Sequence, residues 1–168
     1  ELADGVDYLF FNGDANFPIN VGTRVGHRLG EIYAKNLYKR DENGNMIVNK
    51  QGRPTKVSGE DAFQYTLDHP IGNIEPDLLM SVSPSFTYKG FTLSALFDMK
   101  FGGDIVSVSE AMATSTGLAA RTANRGNAEN GWKIVAPGVT ADGTVNSTAM
   151  NAQRYYTSMS GMAEEFVY

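Results

Sequence analysis

Cysteine is absent from this 168-residue chain, so disulfide scaffolds, thiolate metal sites and cysteine nucleophiles are excluded together. Histidine occurs twice, at His27 and His69, far apart and without cysteine, which argues against zinc. No Gly-x-Ser-x-Gly elbow or phosphate loop with a Gly-Lys-Ser/Thr end is present, and no residue constellation for catalysis stands out; the chain is expected not to be an enzyme and to carry no cofactor. Basic residues are also scarce. Lys plus Arg total 14 against 19 Asp plus Glu, a net charge of −5, which disfavours a sequence-blind nucleic-acid binder. A long apolar run is missing as well. The longest stretches without a charge, Leu78–Tyr88 and Gly143–Gln153, span 11 residues each and are interrupted by Ser and Thr. A membrane helix needs about 18 apolar residues in succession. With mean hydropathy −0.27, the composition taken alone describes a water-soluble chain.

What is present is a pattern. Met80, Val82, Pro84, Phe86 and Tyr88 share one parity, with Ser81, Ser83, Ser85 and Thr87 on the other. Phe91, Leu93, Ala95, Phe97, Met99 and Phe101 repeat it, opposed by Thr92, Ser94, Leu96, Asp98 and Lys100. Period-two alternation of this length marks strands over about 79–88 and 91–101, each with one apolar and one wet face. The two-residue connection Lys89-Gly90 sets Tyr88 opposite Phe91, and the register continues through Phe86–Leu93, Val82–Phe97 and Met80–Met99. Pro84 then faces Ala95 and marks an edge or a bulge.

A weaker alternation over 17–33 puts Phe17, Ile19, Val21, Val25 and Leu29 on one side and Gly22, Arg24, Gly26, Arg28 and Gly30 on the other, as expected for one further strand. The intervening segments, about 36–77 and 102–162, read as long loops; a short helix over Ile105–Ala120 would align Ile105, Val108 and Met112. Asp41-x-Asn43-x-Asn45 begins like a calcium loop but has Met46 where Gly is needed and Gly52 where Glu is needed, so a plain turn is expected. The chain opens at Glu1 and closes on Glu164–Tyr168, which reads as the start of a strand; both ends read as cuts through a longer polypeptide.

A strand over 91–101 rises roughly 33 Å, or about 25 Å along an axis when tilted by about 40°, the height of the apolar band of a membrane β-barrel. Tyr88, Phe91 and Phe101 stand where aromatic girdles lie in such barrels. The lipid-facing candidates are accordingly Val82, Phe86, Tyr88, Phe91, Leu93, Phe97, Met99 and Phe101, and the lumen-facing candidates Arg24, Arg28, Asp98 and Lys100. Alternation does not distinguish lipid from a protein core. A soluble cell-surface β-sandwich, acting as a glycan-binding or adhesive module, carries the same pattern.

An ordered set of motifs adds to this reading. Val25-Gly26-His27-Arg28-Leu29-Gly30-Glu31-Ile32-Tyr33, Asp41-Glu42-Asn43-Gly44 and Ile71-Gly72-Asn73-Ile74-Glu75-Pro76-Asp77 come first. Phe86-Thr87-Tyr88-Lys89-Gly90-Phe91-Thr92-Leu93 and Gly102-Gly103-Asp104-Ile105 follow. In this order they resemble the C-terminal part of SusC/RagA-type TonB-linked outer-membrane proteins, or TonB-dependent receptors. The resemblance implies an all-β fold, a partial segment of a transmembrane antiparallel β-barrel of the 22-stranded transporter type with long extracellular loops. It further implies the cell outer membrane as location, outer-membrane lipid as surroundings and import of a glycan or peptide. A SusD-like surface lipoprotein would serve as a lid and TonB would act through a plug region; the plug and the final strands would lie outside this segment.

Overall fold

Two successive residues with positive φ, Lys89 (47°) and Gly90 (87°), turn the chain back on itself in a computed structural model that describes residues 5–11 and 18–168. Paired positive angles define the tight turn whose twist matches that of the flanking strands. Ten strands are present among the described residues. Four form the hairpin: β5 (Leu78–Val82), β6 (Ser85–Tyr88), β7 (Phe91–Ser94) and β8 (Phe97–Phe101). The register is Tyr88 opposite Phe91, Phe86 opposite Leu93, Val82 opposite Phe97 and Met80 opposite Met99, as the alternation requires. At Pro84 the two expected long strands each divide. Ala95 N–H donates to Pro84 O (3.1 Å), the reciprocal bond has no donor, and the register continues unshifted. Pro84 is therefore neither a bulge nor a slip; it removes one rung.

The expected single strand over 17–33 is corrected. Phe17 lies outside the described residues; β2 (Ile19–Arg24) and β3 (Glu31–Ala34) pair antiparallel, Ile19 opposite Ala34 and Gly22 opposite Glu31. Gly26 (φ 81°) and Gly30 (φ 78°) are turn residues, not members of a polar face, and Val25 and Leu29 are exposed in that turn. Strand β1 (Tyr8–Phe10) flanks β2, and β4 (Gly72–Asn73) flanks β3, giving a four-stranded antiparallel sheet. Gly22 is required there, because a Cβ would sit 2.2 Å from Leu9 O.

The connecting segments carry regular structure, which corrects the purely all-β expectation: the regular elements are mostly strands, in small open sheets, with three α-helices among the described residues. Helix α1 (Ala62–Asp68) packs on β3 and buries Leu67. Helix α2 (Val108–Thr116) begins where Ser107 accepts the Glu110 N–H and ends at Gly117 in a left-handed turn (φ 79°). Its inner face is Ala111 and Thr114, and the expected stripe is corrected: Ile105 and Met112 are exposed. A short ribbon of β9 (Lys133–Val135) and β10 (Ala149–Asn151) leads into α3 (Ala152–Met159), whose Tyr155 and Tyr156 pack with Ala136, Met150 and Ala152.

The two long segments pack on each other. Val48 N–H donates to Val139 O and Val139 N–H to Met46 O (both 2.8 Å), Tyr38 N–H donates to Glu164 (2.8 Å), and Arg40 pairs with Glu164 (3.3 Å). A second seam runs through Arg121. It donates to Glu110 (3.0 Å), to Glu165 O (3.2 Å) and to the Tyr168 hydroxyl (3.0 Å), and its guanidinium lies 4.8 Å from the Phe166 ring centre.

Arg121→Ala is expected to cost about 1–2 kcal/mol, since it removes a cation–π contact and several charge-assisted hydrogen bonds at a half-exposed site. Amide exchange over 105–121 and 163–168 should accelerate together. The same seam should loosen in acid. Tyr168, then Arg121, holds the Glu110 carboxyl below its ordinary value of 4.5, so the stabilisation is present at neutral pH and is lost as the pH falls through the depressed value. Protection factors over 163–168, corrected for intrinsic exchange, that are unchanged between pH 6 and pH 3 contradict this.

Candidate functional site

The eight apolar candidates share one face of the hairpin. Tyr88 stands opposite Phe91, Phe86 opposite Leu93 and Val82 opposite Phe97, with Met99 and Phe101 at the open end beside Met80 and Leu78. This face packs against nothing that buries it: Phe91 is 82% exposed, Leu93 73% and even Val82 43%. The opposite face carries Ser81, which donates to Asp98, and the Thr87–Thr92 hydroxyl pair (3.1 Å). Lys100 shares that face, opposite Leu79.

Arg24 and Arg28 do not join Asp98 and Lys100. Arg24 pairs with Asp68 at the end of α1, and Arg28 pairs with Asp77 (3.2 Å) at the foot of the hairpin. Both act as struts between the β1–β4 sheet and its neighbours. The Asp41 carboxylate is engaged by its own turn, accepting from the Asn43 (2.9 Å) and Asn45 (2.7 Å) amides.

The concave surface lies elsewhere, in the packed loop segments. One cavity, of about 770 Å³, opens between the C-terminal end of α2, the Arg121–Trp132 turn and the start of α3; Thr114, Thr116, Arg125, Trp132, Gln153 and Tyr156 are in its wall. A second, of about 920 Å³, is bordered by Asn49, Gln51, Arg53, Arg154 and Thr157. Asn151 and Gln153 belong to both walls, so the two form one groove. Both volumes are in the range of ligand sites, about 300–1,000 Å³.

Trp132, the chain's single tryptophan, is placed by the backbone rather than by side-chain packing. Asn127 and Asn130 cap one another reciprocally, each amide N–H donating to the other's side-chain oxygen (3.0 Å). This closed turn delivers Trp132 N–H to Asn127 O (2.9 Å), while Trp132 O accepts from Ala152 N–H (2.9 Å) at the head of α3. The residue is held at φ 56° and is 48% exposed. A bulky residue in the left-handed region is strained by roughly 1–3 kcal/mol, and such strain concentrates at binding sites. Behind it, burial raises the Tyr156 phenol above its ordinary value, so it stays a neutral donor, and its hydroxyl donates to Arg121 O (3.0 Å).

Periodicity gives no access to this groove, whose residues come from four separated stretches. The usable signal was the lone tryptophan after Gly131 in a polar, Asn-rich turn.

If Trp132 is strained as described, the ordinary order of substitutions reverses: Trp132→Gly should be more stable than Trp132→Ala by about 1 kcal/mol, because only glycine adopts positive φ freely. Thermal unfolding of the two variants measures this, and an alanine variant equal to or above the glycine variant contradicts it. No family model matches the chain, and no curated protein matches it.

Proposed function

We propose that this chain forms part of the wall and the extracellular loops of an energy-coupled outer-membrane importer of the SusC/RagA type, with its groove facing the incoming nutrient. One observation carries the reading: a register-locked hairpin holds an apolar face, with aromatic residues at both ends, exposed at every position but the half-buried Met99. In water such a face is a liability; against lipid it is the required surface. The outer edges of β5 and β8 have no strand partner among the described residues, and flanking strands of a 22-stranded barrel would supply one on each side.

In this arrangement Lys89-Gly90 is a periplasmic turn, and the packed unit of 36–77 and 102–162 stands at the outer surface. A SusD-like lipoprotein closes over that unit, TonB acts through a plug outside this segment, and the chain performs binding and passage, not catalysis. Asp98 and Lys100 face the lumen. A soluble glycan-binding module would account for the groove equally well, but it leaves the apolar hairpin face without a covering sheet.

The test uses the intact outer-membrane protein refolded into phospholipid vesicles. Phe97, near the centre of its arm, should tolerate arginine poorly, at a cost of about 2–4 kcal/mol, as for a lipid-facing site near the midplane. Thr92→Arg, on the opposite face, should fold close to the wild-type level. Equal tolerance of the two variants, or cooperative folding in buffer without lipid or detergent, contradicts the proposal.

A further inference from the structure

We infer that the groove binds an acidic oligosaccharide, with a sugar ring stacked on Trp132 and carboxylates held by Arg53, Arg125 and Arg154. The inference rests on the importer reading and adds to it the class of nutrient.

The arginines sort themselves. The chain has seven, and four are in ion pairs: Arg24 with Asp68, Arg28 with Asp77, Arg40 with Glu164, and Arg121 with Glu110 and Glu165. The remaining three have no carboxylate partner among the described residues, and all three lie in the walls of the two cavities. Neither wall contains an Asp or a Glu, in a chain with 19 of them. Arg125 makes one side-chain bond, to Gly117 O (3.3 Å). A guanidinium offers a planar fork that matches a carboxylate, so three of them in an acid-free groove select an anionic ligand.

Two further features point to a sugar as the carrier of that charge. Trp132 offers a half-exposed indole, fixed by strained backbone, beside the amides of Asn151 and Gln153. A flat aromatic surface with amide donors and acceptors suits a ring with neighbouring hydroxyls. A peptide would need apolar pockets for alternate side chains, and the large apolar wall residues besides Trp132, Met150 and Tyr156, are already buried. The second feature is Thr114. Its hydroxyl is fully buried at the wall of the cavity near α2 and has no hydrogen-bond partner among the described residues. A buried unsatisfied hydroxyl is costly, and a small outward movement of the wall on binding would let a ligand hydroxyl satisfy it.

Calorimetry on the intact protein in detergent tests this with three probes: tetragalacturonate, its methyl ester and a tetraglutamate peptide. Tetragalacturonate should bind, and more weakly with rising salt. Arg53→Gln, Arg125→Gln and Arg154→Gln should each weaken it about tenfold. All three side chains belong to exposed residues, so the variants should fold. Arg40→Gln, outside the groove, should leave binding unchanged, and Trp132→Gly should weaken acid and ester alike. Equal affinity for acid and ester, or indifference to all three arginines, overturns the anionic ligand. Tetraglutamate binding that depends on the arginines but not on Trp132 overturns the sugar in favour of an acidic peptide. No binding of any probe at millimolar concentration overturns the inference outright. Should Phe97→Arg show that the hairpin inserts while tetragalacturonate fails to bind, only the ligand class falls. Arginine-dependent binding without insertion removes only the importer.

Discussion

The constraint on which the rest depends is the register of the 78–101 hairpin. Lys89 and Gly90, both at positive φ, permit one pairing, and that pairing commits every second residue from Leu78 to Phe101 to the same side. A shift of one residue would mix Phe86, Leu93 and Phe97 with serine and threonine. With the register fixed, one surface is apolar along its full length and the other is lined with hydroxyls, Asp98 and Lys100. Loss of the Pro84 N–H removes a single rung and leaves this division intact. A hairpin so divided has to place its apolar side against something other than water; in the importer proposed above that something is lipid, with the aromatic residues at its ends at the interfaces.

The foot of the hairpin connects this surface to the packed loop unit. Asp77 N–H donates to Phe101 O (2.9 Å), Asp77 accepts from Arg28, and Asp104 accepts the Asn73 N–H (2.8 Å), so both arms emerge from one hydrogen-bonded junction. Above it the two connecting segments are tied by the Val48–Val139 backbone contact, by Arg40 with Glu164 and by the Arg121 seam. Gly138 belongs to the first of these ties: a Cβ there would lie 2.3 Å from Met46 O. Regular structure in these segments gives the groove rigid walls, with α2 and α3 on one side and the 49–53 turn on the other. The groove proposed to bind ligand thus sits in connections supported by a scaffold, a common division of labour in folded proteins.

Local features were legible in the sequence and distant ones were not. Turn chemistry and alternation lie within the same two dozen residues, so the pairing of Phe86 with Leu93 or Val82 with Phe97 follows without tertiary information. The short helix expected over Ile105–Ala120 forms as the narrower α2, between Ser107 and Gly117, and the face it buries, Ala111 and Thr114, is set by contacts with distant residues. The region 17–33 was misleading because glycine serves two purposes. Gly26 and Gly30 fit an alternating strand on parity, and only their positive φ reveals that they turn the chain. Arg24 and Arg28 then have partners, Asp68 and Asp77, more than 40 residues away in sequence. The groove was beyond reach for the same reason. Arg53, Arg125 and Arg154 become a set only when the fold brings them to one groove and assigns the other four arginines to carboxylates.

The most direct test of the central claim is a nitroxide scan along 91–101 in the intact protein reconstituted in bilayers, with oxygen and a water-soluble nickel chelate as paired relaxation agents. Oxygen accessibility should oscillate with period two, high at positions 91, 93, 97, 99 and 101, with nickel accessibility in antiphase at 92, 94, 98 and 100. A profile without alternation, or one in which nickel reaches the Phe91, Leu93 and Phe97 positions as freely as oxygen, would contradict a lipid-facing hairpin.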